Sequence, residues 1–119
     1  MSRNISFALT TRQFNERTKD VTRRLGWEFL KVGDRLHGCK KCMGLRPDEP
    51  LVRLHDIEVT IIRRERLDRI VTDPVYGSEE LRREGFPFMS PDEFVAFFCA
   101  SHPKCTPESV ITRIEFKHL

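Results

Sequence analysis

Leu51-Val52-Arg53-Leu54-His55-Asp56-Ile57-Glu58-Val59-Thr60-Ile61-Ile62-Arg63-Arg64-Glu65-Arg66-Leu67 is the longest run of strand character in this 119-residue chain. Val52, Ile57, Val59, Thr60, Ile61 and Ile62 are β-branched, the residue class that fits a pleated, half-buried surface. The alternation fails near His55-Asp56, which predicts a bend or bulge there. A second strand closes the chain over Val110–Lys117, with Val110, Thr112, Ile114 and Phe116 on one face and Ile111, Arg113, Glu115 and Lys117 on the other.

Shorter segments surround these two. Ile5, Phe7 and Leu9 alternate with small residues as in a short strand. Thr10 and Gln13 have capping-box spacing for a brief helix that turns Phe14 inward. Strands are expected over Val21–Leu25 and Arg35–Cys39, with a bend at Gly26–Leu30, a turn at Val32-Gly33-Asp34 and a loop from Gly44 to Pro50. Arg69–Gly77 reads as irregular, and Ser78–Glu84 as a short helix stopped by Gly85. The clearest helix start is Ser90-Pro91-Asp92-Glu93: a cap serine, proline at the first position and glutamate three after the cap. Phe94, Phe97 and Phe98 follow at helical spacing. Strands separated by short helices, without a βαβ rhythm, indicate an α+β fold in one domain spanning 1–119.

An apolar share of 39%, with nine Phe, suits a single core. No apolar run approaches the roughly 20 residues that span a bilayer. The start, Met1-Ser2-Arg3-Asn4, lacks a signal-peptide hydrophobic region, and four Cys suit a reducing compartment, so the expectation is cytoplasmic, with no membrane and no obligate protein partner. Charge is unevenly placed. Met1–Arg46 holds 11 Lys/Arg against 4 Asp/Glu, a balance of +7; the remainder holds 10 against 14, or −4, giving the net +3. A basic first third points to an anionic partner such as RNA or a nucleotide; a solvated basic face is the plainer alternative.

Thr18-Lys19-Asp20-Val21-Thr22-Arg23-Arg24 gathers an amine, a hydroxyl and two guanidiniums. A hydroxyl becomes a useful nucleophile when a base removes its proton, and a lysine of lowered pKa can do so. Thr22 and Arg24 share a strand face. Lys19 joins them only if the chain turns near Asp20, and otherwise the stretch is an ordinary charged edge strand. Glu84 stands at a helix C-terminus, where a carboxylate gains nothing from the helix dipole.

These features, taken with Lys31-Val32-Gly33-Asp34, Lys41-Cys42-Met43-Gly44-Leu45, Ile57-Glu58-Val59, Glu84-Gly85-Phe86, Asp92-Glu93-Phe94 and Ile114-Glu115-Phe116, run in the order found in the ASCH domain family, which the chain resembles over nearly its whole length. The resemblance implies a small PUA-like β-barrel with short peripheral helices. Some bacterial members are amidohydrolases of N4-acetylcytidine, with a Lys, a Thr three residues later and a distant Glu; by position these are Lys19, Thr22 and Glu84, with Arg24 in the same pocket. The implied activity is hydrolysis of an N-acylated nucleoside, without a cofactor. The alternative is a non-catalytic RNA-binding or regulatory module, and a ribonuclease is a weaker third reading, with no His pair or acidic metal cluster to support it. The chain departs from the small amidohydrolases in a longer middle, Gly38–Pro50, and a Cys-containing segment near the end.

Arg23 and Trp27 complete the substrate-binding candidates, Trp27 as a face on which a base can stack, with core packing or a hydrophobic cover beside Phe29 and Leu30 as its default role. Cys39, Cys42, His102 and Cys105 have the donor types of a tetrahedral zinc site. Their split spacing makes free thiols the default, and no metal is expected.

Overall fold

β4 (Arg53–Arg66) is the spine of the molecule. In the computed structural model, which describes residues 3–119, it pairs antiparallel with β3 (Arg35–Cys39) on one side and β5 (Val110–His118) on the other. β1 (Arg3–Ser6) adds in parallel to β3, and β2 (Val21–Arg24) adds antiparallel to β5. The five-stranded mixed sheet has the order β1-β3-β4-β5-β2. It curls into a half-barrel, so that an Arg24 guanidinium nitrogen on one edge strand donates to the Ser6 carbonyl on the other, 2.6 Å away. The architecture is α+β with short helices, as the mixture of strand and helix signals in the sequence predicts.

Two irregularities bend β4. His37 pairs with Asp56 while Cys39 pairs with Arg53, so the extra residue lies within Leu54-His55, where the sequence alternation breaks. A second, not foreseen, isolates Thr60 between the Val59–Phe116 and Ile61–Glu115 pairs; its hydroxyl donates to the Glu115 carbonyl at 3.1 Å. Bulges increase local twist, which helps a five-stranded sheet to curl.

Apolar burial divides between two clusters rather than forming one core. On the concave face Ile5, Phe7, Leu36, Ile57, Ile114 and Phe116 surround Phe14 from α1 (Thr11–Asn15). Phe14 stacks on Phe7 at 4.3 Å and on His55 at 4.2 Å between ring centroids. On the other face Leu67 and Ile111 meet Ile70 of α2 (Arg69–Thr72), Leu81 of α3 (Pro74–Glu84), and Phe94 and Phe98 of α4 (Pro91–Ser101). β5 belongs to both, which is why Ile111, Thr112, Arg113 and Ile114 are all buried.

Several local expectations are corrected. β1 ends at Ser6, and Leu9 lies exposed in the following turn instead of continuing the alternation. Thr10 precedes α1 but makes no side-chain cap; Thr11 donates to the Phe7 carbonyl instead, at 2.7 Å. The Ser90–Glu93 capping box forms as its residues predict. α3 begins at Pro74, inside the stretch read as irregular, because the Asp73 carboxylate accepts the Tyr76 amide. Gly85 ends α3 with φ +100°, the left-handed cap that glycine adopts without strain.

Gly77 lets α3 pass directly over α2. A Cβ there would stand 2.0 Å from the Ile70 carbonyl oxygen, a backbone atom that cannot swing aside. Gly77→Ala is expected to destabilise the fold by about 3 kcal/mol, the upper part of the range for overpacking. Equilibrium urea denaturation checks it, and an unchanged midpoint would show that the helices separate freely. Among the described residues, no helix is long and apolar enough to cross a membrane.

Candidate functional site

The concave side of the half-barrel opens into a cavity of about 240 Å³ near the gap between β1 and β2. Lys19, Thr22, Arg24 and Glu84 line its polar part. The chain is irregular through Asp20 and enters β2 at Val21, the turn that lets Lys19 join Thr22 at one site. Thr22 and Arg24 then share a face by strand alternation. Arg24 Nε donates to Thr22 Oγ1 at 3.0 Å, so a half-buried guanidinium polarises the hydroxyl oxygen.

Glu84 comes from the last turn of α3, 65 residues from Lys19 in sequence, and meets the amine in two ways. Lys19 Nζ donates to the Glu84 carbonyl and lies 3.5 Å from its Oε1. Both side chains are almost completely buried. Burial dominates the Lys19 amine and lowers its pKa to about 8; the Glu84 carboxylate opposes this, and Arg24 and Arg23 add to it. The conflict between a nearby carboxylate and a usable neutral amine is thus decided by desolvation. Much of the remaining wall is apolar, formed by Phe7, Phe86, Phe94, Phe97 and Phe98, with Phe97 partly exposed, and Ser101 and His102 also line it.

Arg23 reaches the cavity wall, but its guanidinium is fully buried and faces the helices. Its nitrogens lie 2.6 Å from Glu80, 3.2 Å from Glu65 and 3.2 Å from Glu84. Although burial works against its charge, these carboxylates raise its pKa. Its two terminal nitrogens are thus engaged by carboxylates, and among the described residues Nε has no partner. Trp27 stands apart from these residues. It lies outside the cavity, at a separate depression with Ile62 and Arg64, and its ring sits 5.5 Å from that of Phe29.

The residues that hold Glu84 in place escaped the sequence reading. Glu80, Arg83 and Glu84 lie on one face of α3 by their i, i+3, i+4 spacing. Glu80 pairs with Arg113 as well as Arg23. Arg83 binds both carboxylate oxygens of Asp20 at 2.9 Å and reaches Glu115 at 3.1 Å. Arg113 closes the circuit to Glu115, also at 3.1 Å. The circuit begins and ends beside Lys19 and fixes α3 against β2 and β5. The only available signal was the charged triplet spacing on α3, which also describes an ordinary solvated face.

The thiol and imidazole candidates do not converge. Among the described residues, no three His, Cys, Asp or Glu groups are placed to hold a metal ion. Cys105 faces Cys99 at 3.6 Å, and His102 Nδ1 is 2.8 Å from the Phe98 carbonyl.

A second ionisable pair backs the site. His118 Nε2 is 2.7 Å from the Lys19 carbonyl, and His118 Nδ1 is in turn bonded to His55 Nε2. Burial lowers both imidazole pKa values; the Arg17 charge adds to this at each, and the His118 charge at His55. The unfolded chain therefore binds protons at a higher pH than the folded one. The associated stability is present above the ordinary value near 6.5 and is lost as pH falls toward the lower folded values. The thermal midpoint is expected to drop between pH 7 and pH 5, and less steeply in His118→Gln; parallel profiles for the two proteins would refute the assignment.

No protein-family model, curated protein or solved structure matches this chain.

Proposed function

We propose that this protein is a PUA-like domain of the ASCH type that hydrolyses an N-acylated nucleoside, N4-acetylcytidine being the first candidate. The observation that carries the reading is the shared cavity of Lys19, Thr22, Arg24 and Glu84, with a desolvated amine whose pKa is lowered to about 8. Neutral Lys19 takes the Thr22 proton, and Thr22 Oγ1 attacks the acyl carbon. The tetrahedral adduct collapses as the C–N bond breaks and Lys19 returns the proton to the departing amine. Water, deprotonated by Lys19, then hydrolyses the acyl-Thr22 ester and restores the hydroxyl. Arg24 stabilises the developing charge on Thr22 Oγ1, and Glu84 orients Lys19.

The cavity is smaller than the roughly 300–1,000 Å³ typical of sites for drug-sized ligands. It suits an acylated base, with the sugar at the mouth. Charge placement also favours a small ligand over a polyanion. Much of the basic first third is internal or paired: Lys19, Arg23 and Arg24 are buried or nearly so, and Arg12, Arg35, Lys41 and Arg46 face carboxylates. A cytoplasmic site of action is consistent with such a substrate.

The test is incubation of the purified protein with N4-acetylcytidine, following cytidine and acetate by chromatography. Time-dependent release supports the hydrolase. No turnover, combined with RNA binding that weakens steeply as salt rises, would replace it with a non-catalytic RNA-binding module.

A further inference from the structure

The segment that closes the apolar wall of the cavity carries a feature the hydrolytic reading leaves unused. Cys99 lies near the end of α4, and Cys105 lies beyond the turn that follows it. Their sulfurs are 3.6 Å apart, with the Cys99 thiol donating to Cys105. Both are free and only partly buried. Between them stand His102, which lines the cavity with its ring stacked on Phe98 at 4.4 Å, and Lys104, held at φ +67°. Phe97, Phe98 and Ser101 of the same wall lie within two residues of Cys99.

We propose that Cys99 and Cys105 are a thiol-modification site that forms a reversible intramolecular disulfide by exchange with a low-molecular-weight disulfide, and that this bond resets the cavity wall at His102. The second clause rests on the cavity being the ligand site; the first does not. In the exchange, the Cys105 thiolate attacks one sulfur of the small disulfide and expels one thiolate, leaving a mixed disulfide. Cys99 then loses its proton and attacks Cys105 Sγ, expelling the second thiolate. Two protein thiols are oxidised, and one small disulfide is reduced to two thiols.

Bond formation brings the sulfurs from 3.6 Å to about 2.05 Å. Helix α4 is the fixed side, because Phe94, Val95 and Phe98 anchor it in the core. The displacement therefore falls on the His102–Cys105 turn. The Cys105 amide closes this turn on the His102 carbonyl at 3.2 Å, and the His102 amide joins it to α4 at the Cys99 carbonyl, 3.3 Å away. Acceptance of the Cys99 proton favours Cys105 as the attacking thiolate. Burial and the Cys105 contact raise the Cys99 pKa, which suits it to the resolving step.

The experiment exposes the folded protein to oxidised glutathione near pH 8, followed by intact mass measurement and peptide mapping. The expected product has lost two hydrogens, maps to Cys99–Cys105 and reverts with dithiothreitol. It forms in Cys39→Ser/Cys42→Ser and is absent in Cys99→Ser and Cys105→Ser. The His102 ring proton resonances are expected to shift on oxidation, and the KM for N4-acetylcytidine to change at least about threefold. A stable glutathione adduct without the intramolecular bond, a Cys39–Cys42 product instead, or no reaction would overturn the modification site. The bond with unmoved His102 resonances would overturn the coupling to the cavity. A protein that forms the bond and shifts His102 but never hydrolyses N4-acetylcytidine would retain this site and lose the hydrolytic reading.

Discussion

Arg23→Met will destabilise the protein by about 3–5 kcal/mol, the cost of removing one partner from a buried ionic cluster. Glu65, Glu80 and Glu84 all direct a carboxylate oxygen at this guanidinium from 2.6–3.2 Å, and its side chain has no exposed surface. Methionine fills much of the volume but leaves three carboxylates without their shared counter-ion. Part of the lost stability should return on acidification, because protonating a carboxylate removes its unpaired charge. In the parent protein the opposite holds: Glu80 is held down to about pKa 2, with its contacts to Arg113 and Arg23 overcoming burial, so its contribution is present above about 4.5 and disappears as pH falls toward 2. Urea denaturation of both proteins at pH 7 and pH 4.5 measures the difference. Arg12→Met is the control, since among the described residues Arg12 pairs only with Glu16, on the surface, and its midpoint should stay where it was. An Arg23→Met midpoint equal to that control would mean that the cluster contributes nothing net.

Thr22→Ala and Lys19→Met are each expected to lower hydrolysis of N4-acetylcytidine on the order of 10⁴-fold, with little further loss when combined, because nucleophile and base act as one unit. In the parent protein, kcat/KM should rise with pH and level off above about 8, where the Lys19 amine becomes neutral. The same shift has a cost in stability. A lysine whose folded pKa is lowered binds fewer protons than in the unfolded chain. Folding is therefore penalised below about 8, and the penalty fades as pH rises from about 8 toward the ordinary 10.5. Lys19→Met removes that dependence along with the activity. A pH–rate profile flat from 6 to 9, or Lys19→Met with full activity, would eliminate Lys19 as the base.

What could be read from the chain and what could not divides along range. Strands β2, β3, β4 and β5 were legible because their branched and alternating residues are local signals, and the Ser90 cap was legible because all its partners lie within four residues. Asp73-Pro74 carries the same kind of start signal as Ser90-Pro91, but Gly77 masked it. Glycine there answers to the Ile70 carbonyl passing overhead, a tertiary requirement. The places of Arg23 and Trp27 were not legible for a related reason. Residue type marked them as able to bind a ligand, while strand alternation turned Arg23 toward the carboxylates of β4 and α3, and a left-handed backbone at Trp27, φ +55°, aimed its ring elsewhere.

By itself the sequence determined the fold class, the Ser90 capping box, the Gly85 helix stop and the pairing of Thr22 with Arg24 on one face. The tertiary structure alone decided that Glu84 meets Lys19 and that Arg23 is locked away. It also decided that the sheet is covered on both sides. The physical reason is that caps and strand periodicity are set by neighbours along the chain. The ionisation and engagement of a buried charge depend on groups about 60 residues distant, which only the closing of α3 onto β2 brings within hydrogen-bonding reach.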